Sequence, residues 1–164
     1  MQSVKIYKTD EIDQSVLDTI KNDYENTSYE DDYHSIYQMQ IIFSKQGNPD
    51  SYFVAAFVDD VYLGGTLLFL KGSRSIDDVD QDGNYITLEV PCPIIEATAK
   101  SQKGLSSEVK LNSLIIPAIK EFLLLNGYHS VYVIPVPRQG DILLNHYGFC
   151  TYHAEDSGAL ILQL

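Results

Sequence analysis

The chain reads as one α/β domain, and three features carry that reading. Segments with strand-like alternation interleave with segments of helical period, in the order strand, helix, helix, three strands, helix, strand, helix, two strands. Residues 52–58 and 61–70 are two apolar runs on either side of Asp59-Asp60, the pattern of a tight β-hairpin. Between 96 and 127 a strand end, a short polar turn with Gly104 and a long amphipathic helix follow without a break. The 164 residues suffice for one core, and no repeat, low-complexity tract or linker divides them, so residues 1–164 are expected to form a single domain.

In order along the chain, Val4 and Ile6 alternate with Lys5 and Tyr7, which predicts a first strand. Ile12, Val16, Leu17 and Ile20 recur at helical spacing, and a second helix is expected over 33–44. Gln46-Gly47-Asn48-Pro49-Asp50 breaks the chain before the hairpin. Gly64-Gly65 within its second strand predicts a bulge or the close approach of another backbone. Residues 72–83 read as an acidic loop. Residues 85–98 read as an extended stretch that loses ladder bonds at Pro91 and Pro93. A helix over 106–126 would bury Val109, Ile115, Ile116, Ile119, Phe122 and Leu123, with Pro117 on its polar face and Asn126-Gly127 at its end. A β-rich run over 130–136, a helix over 139–147 stopped by Gly148, and two closing strands complete the chain.

A net charge of −12 argues against a nucleic-acid surface and against anionic membranes, and suits solubility or a cationic partner. Cys92 and Cys150 form no disulfide framework or metal spacing. Lys5, Lys8 and Asp10 interrupt any signal-like run, and no stretch reaches the roughly 18–20 apolar residues of a membrane span. The expected compartment is the cytoplasm.

The turn after residue 100 is the clearest chemical feature. Unpaired N–H groups at a helix start carry the positive end of the dipole, and a glycine there admits a ligand to the backbone. Lys100, Lys103 and Lys110 cluster around it in an otherwise acidic chain. A phosphate suits such a place, and an ordinary helix start with solvated lysines is the alternative.

The element order, the loop at 101–106 and the closing Tyr147-Gly148-Phe149 together resemble the GCN5-related N-acetyltransferase (GNAT) superfamily over nearly the whole length. The family's phosphate loop runs Gln or Arg, two residues, Gly, one residue, then Gly or Ala. Here Ser101 stands first, Gly104 keeps the middle glycine and Ser106 takes the last place. The resemblance implies a mixed, mostly antiparallel sheet of about seven strands flanked by about four helices. It also implies acetyl-CoA or another acyl-CoA as cosubstrate. The pantetheine would pair with the fourth strand at about Glu96, Ala97 and Thr98, and the diphosphate would lie on the amides of Gln102, Lys103, Gly104, Leu105 and Ser106. The implied activity is transfer of an acyl group to a primary amine of a small molecule or protein, by direct attack in a ternary complex. The alternatives are a degenerate relative that binds CoA or a protein partner without turnover, and an enzyme like the acyl-homoserine-lactone or N-acyl-amino-acid synthases.

Two positions depart from the family. The tyrosine acid expected four residues before the glycine of the Gly-Phe pair is Leu144, and the asparagine expected after the fifth strand is Pro137. Glu96 remains as a candidate base. Tyr147 remains as a candidate acid, although helical geometry turns it about 300° from the usual position and suits packing as well. His146 and Cys150 are further stand-ins.

Asp78, Asp80, Asp82, Gly83 and Glu89 match the spacing of a calcium loop, yet Val90-Pro91-Cys92-Pro93 cannot readily start the helix that such a loop needs. The expected reading is a hairpin loop turning at Asp82-Gly83-Asn84, with no metal. Tyr24, Tyr29, Tyr33 and Tyr37 lie among Glu25, Glu30, Asp31 and Asp32, a mixture that suits a cationic amine acceptor or a solvated connection. Whether the chain is a monomer or a homodimer has no signature in the residues.

Overall fold

The computed structural model describes residues 1–25, 33–43, 50–79, 82–136, 138–152 and 158–164. Its elements are β1 (Gln2–Lys8), α1 (Gln14–Glu25), α2 (Tyr33–Ile42), β2 (Ser51–Val58), β3 (Val61–Phe69), β4 (Ser73–Val79), β5 (Tyr85–Pro91), β6 (Ile94–Lys100), α3 (Gln102–Ser106), α4 (Leu111–Leu125), β7 (Ser130–Ile134), α5 (Gln139–His146), β8 (Cys150–Thr151) and β9 (Leu160–Gln163). Seven strands form one mixed sheet in the order β1-β2-β3-β6-β7-β9-β8, and β4 and β5 form a separate antiparallel ribbon. Among the described residues only the β6–β7 pairing is parallel, and the other ladders run antiparallel.

The sheet is buried on both faces. On one side Ile12 of the link before α1, Val16 and Ile20 of α1 and Ile42 of α2 meet Phe53, Leu67 and Ile94, and Leu88 and Val90 of the ribbon join them. On the other, Leu111, Ile115, Ile119 and Leu123 of α4 and Leu143 of α5 meet Val54, Leu68, Ile95 and Val133. The two faces take alternate residues of the same strands, as the pleat requires. The hairpin turns at Asp59 and Asp60, whose φ values of 50° and 65° make the two-residue turn favoured by strand twist. Gly64 is the close approach expected of it: a Cβ there would lie 2.5 Å from the Ala99 carbonyl oxygen.

Three expectations need correction. Residues 73–79 are not loop but strand β4, paired residue for residue with β5; the segment carries polar groups on both faces, so alternation does not betray it. The extended stretch over 85–98 divides at Cys92-Pro93 into β5 of the ribbon and β6 of the main sheet. The helix expected over 106–126 is two helices, α3 and α4. Ser107 and Lys110 between them are extended, and the Ser107 hydroxyl accepts the Val109 N–H at 3.1 Å, an alternative to helical bonding that serine readily offers. α4 then runs through Pro117, which faces solvent along with Ser113, the residue whose carbonyl it leaves without a donor. No described helix is long and apolar enough to cross a membrane.

Candidate functional site

β6 behaves differently on its two edges. Along β3 it is paired from Ile94 to Lys100, with a shift of register opposite Thr66. Along β7 the pairing lasts for only Ile94↔Tyr132, Ile95↔Val133 and Glu96↔Ile134, and then the strands part. Both strands contribute to the break. Pro135 follows Ile134 and has no N–H to continue the ladder. Ala97 is left-handed, with φ 59°, and bulges β6 at that point. The edge of residues 97–100 is thereby left without a β7 partner.

Two buried carboxamides hold the bulge. From α2, Gln38 Nε2 donates to the Ala97 carbonyl at 2.9 Å and to the Gly65 carbonyl at 3.1 Å. From the first turn of α5, Gln139 Nε2 donates to Thr98 Oγ1 at 2.9 Å and to Asn112 Oδ1 at 3.3 Å, while its Oε1 accepts the Val136 N–H at 3.1 Å. Thr66 Oγ1 donates to the Glu96 carbonyl at 3.1 Å, so at the 2.9 Å Thr66–Thr98 contact the Thr98 hydroxyl is the donor. Gln38 and Gln139 are each 4% exposed and Thr66 is fully buried, so these bonds stand in a medium where unmade ones are costly. Nothing in the one-dimensional pattern marks the two glutamines. Thr66, a lone hydroxyl between Leu63 and Phe69, is the one signal that the sequence held.

The turn around Gly104 is built for packing. A Cβ on Gly104 would lie 1.9 Å from the Leu63 carbonyl oxygen, so its missing side chain admits β3 rather than a ligand. Ser101 caps α3: its Oγ accepts the Gly104 N–H at 2.9 Å and donates to the Tyr62 carbonyl at 2.8 Å. Asp23 of α1 accepts the Gln102 N–H at 3.3 Å, and burial pushes its carboxyl above the usual range. Leu105 N–H returns to the Ser101 carbonyl, and the Ser106 hydroxyl bonds the Gln102 and Lys103 carbonyls. The α3 turn thus supplies several of its own partners. α4 differs: its N-cap is Lys110, which makes no side-chain cap bond, and its second residue, Asn112, touches Gln139 at the parting.

Glu96 lies toward the α1–α2 face. Arg74 of the ribbon grips it, with Nε 3.0 Å from Oε2 and Nη2 donating to Oε1 at 3.2 Å, and the guanidinium also stands 5.4 Å from the centre of the Phe69 ring. Cys92 lies close enough that burial and Glu96 raise its thiol while Arg74 lowers it. Tyr147 caps the end of α5 and packs half-buried into the α4–α5 core. The two candidate catalytic side chains therefore lie on opposite faces of the sheet and are not brought together. Leu144, His146 and Cys150 are exposed, and Pro137 lies outside the described residues.

The calcium reading meets the ladder. Glu89 stands opposite Ser75, three registers from Asp78, which is about 10 Å at strand rise. Its carboxylate accepts from Ser73 and Ser75 at 2.6 Å each, which holds it below its usual range. Asp80 and the Asp78 side chain lie outside the described residues; among those that are described, no group of His, Cys, Asp and Glu could hold a metal. Tyr29, Glu30, Asp31 and Asp32, and the side chains of Tyr33 and Tyr37, likewise lie outside them.

No protein-family model matches the chain, and no curated protein matches it in sequence. Solved structures match it in shape. A protein of Desulfovibrio desulfuricans assigned to the GNAT family of acetyltransferases superposes with a TM-score of 0.61 at 12% identity, covering 99% of each chain. FeeM, an N-acyl amino acid synthase from uncultured soil microbes, gives 0.58 at 11% identity over 99% of this chain and 90% of that one. The PaiA N-acetyltransferase of Thermoplasma acidophilum, solved with coenzyme A, gives 0.53 at 15% identity over 99% of each. The chain has the GNAT fold, with the seven-stranded sheet parted between β6 and β7.

Proposed function

We propose that this protein is an acyl-CoA-dependent N-acyltransferase acting on a primary amine. The observation that carries the reading is the parting: β6 keeps its β3 ladder to Lys100 but leaves β7 after Glu96, so a length of strand edge is offered to an extended, amide-bearing chain such as pantetheine. The neighbours of like fold include enzymes named for this chemistry, one of them solved with coenzyme A.

The donor would pair with the main chain of residues 97–99. Its diphosphate suits the start of α4, where the amides of Leu111 and Asn112, the helix dipole and Lys110 favour an anion. This moves the anion place forward from Gln102–Ser106, whose Gln102 and Gly104 amides are already bonded to Asp23 and Ser101. The chemistry is simple. The amine attacks the thioester carbonyl, the C–N bond forms, the C–S bond breaks, the ammonium proton passes to water, and the thiolate is protonated. Holding the two reactants together supplies most of the acceleration. Glu96, clamped by Arg74, anchors the ribbon to the sheet more readily than it serves as a free base. A net charge of −12 suits a cationic acceptor.

Calorimetric titration with CoA and acetyl-CoA, followed by thiol release with a panel of amines, tests the reading. Saturable binding with turnover on at least one amine supports it, and absence of CoA binding overturns it. Leu144 at the usual tyrosine position favours a second reading, a CoA binder without turnover. Saturable binding with no thiol release on any amine would leave that one standing.

A further inference from the structure

Among the described residues, one side chain is hydrogen-bonded across the parting between β6 and β7. Gln139 enters from the helix that follows β7 and bonds Thr98 on β6, so its carboxamide crosses the gap just beyond the last strand pair. Gln38 differs in kind: it bonds Gly65 and Ala97, which sit on β3 and β6, two strands already paired with each other. Beneath Gln139 lies apolar core, where Ile95, Val133 and Leu143 are fully buried. On the Gln38 side, the cavity between α1, α2 and the end of β6 measures about 20 Å³, room for roughly one water. Among the described residues, the room for an apolar chain that enters the parting lies toward the α4–α5 core, and Gln139 with Thr98 closes that way.

We propose that Gln139 sets the depth of the donor site and limits the acyl group to a few carbons. The inference rests on the transferase reading above and adds a residue and a length to it. A longer chain must displace a carboxamide whose oxygen and nitrogen both serve buried partners, Val136 N–H, Thr98 Oγ1 and Asn112 Oδ1. Leaving such groups unpaired costs more than the methylenes recover. The same closure holds Thr98 and Thr66 in line with the Glu96 carbonyl, so the floor of the site and the bulge are one hydrogen-bonded unit.

The test is competitive calorimetry with CoA and the straight-chain series from acetyl-CoA to octanoyl-CoA, on the full chain and on Gln139→Ala, Gln139→Leu and Gln38→Ala. In the unaltered protein, affinity should fall about tenfold or more for each methylene beyond the limit. Gln139→Ala should shift that limit to longer chains by two or more carbons. Gln139→Leu keeps the volume but removes the hydrogen bonds, and should move the limit less than Gln139→Ala does. Gln38→Ala should not move it. Thr98→Ala opens the same floor from β6 and should also lengthen the accepted chain, which keeps the proposal testable if Gln139→Ala does not fold. Octanoyl-CoA bound as well as acetyl-CoA by the unaltered protein, a profile unmoved by both Gln139→Ala and Thr98→Ala, or a limit moved by Gln38→Ala alone would each overturn it. If CoA itself does not bind, the transferase reading fails and takes this inference with it; if CoA binds and the length profile does not move, only the inference fails.

Discussion

The two helix starts after β6 face opposite demands. α3 begins at the turn with the glycine, and its turn is closed: Gly104 is pressed on Leu63, Ser101 caps it, and Asp23 sits on the Gln102 amide. α4 begins five residues after α3 ends, without a side-chain cap, beside the buried network that spans the parting. The first has the residues of an anion site and the packing of a joint. The second has no glycine and no side-chain cap, and is the place proposed for the diphosphate. A glycine in a turn says that something comes close to the backbone, and here that something is another strand.

The difference can be broken from either side. The largest effect is expected at the joint. Gly104→Ala puts a Cβ against main chain that cannot step aside, and should cost about 1–3 kcal/mol or more, read as a melting point lower by several degrees. A variant that melts like the unaltered protein would mean the turn is open after all. Next come the lysines. Lys110→Glu should weaken CoA binding roughly tenfold with little change in melting, whereas Lys103→Glu should leave affinity within about twofold. The reverse order of the two would return the diphosphate to α3. Ser101→Ala removes the cap and should lower stability by about 1 kcal/mol without touching CoA affinity.

The smallest effect belongs to Asp23. Burial raises its carboxyl in the folded protein, so the folded state favours the protonated form, and the buried charge weighs on stability above the folded pKa and is relieved below the ordinary one. Asp23→Asn keeps an oxygen for the Gln102 N–H and removes the charge. It should raise the melting point slightly near about pH 7, with the gain fading as the pH falls through the carboxylate range. A gain that grew toward acid would contradict the burial account.

Much of the frame was legible in the residues. Asp59-Asp60 marked the hairpin, Gly64-Gly65 marked the close approach of β6 to β3, and the alternation of periods gave most of the elements in their order along the chain. Pro135 stands at the end of the β-rich run over 130–136, and together with the bulge at Ala97 it parts the sheet. The site itself was less legible. α3 and α4 read as one helix over 106–126 because Val109 stands seven residues before Ile116, a helical spacing kept across the extended link. β4 hid because Arg74, Ser75 and Asp77 carry no alternation, being held by cross-strand partners and by Glu96 instead. Gln38 and Gln139 hid because a glutamine on a helix is ordinarily solvated, and only the assembled fold shows that their partners are a bulge and a parting. Glu96 and Tyr147 were separate candidates, Tyr147 more readily a packing residue, and the fold puts Glu96 under the ribbon and Tyr147 at the end of α5 on the other face.

Amide-resolved NMR during a titration with CoA tests the central claim most directly. If the parted edge of β6 and the start of α4 hold the donor, the largest shifts fall at residues 97–99 and 111–113, and those of Gln102 and Gly104 stay small. Shifts centred on 102–106 with residues 97–99 silent, or no saturable shift anywhere, would contradict it.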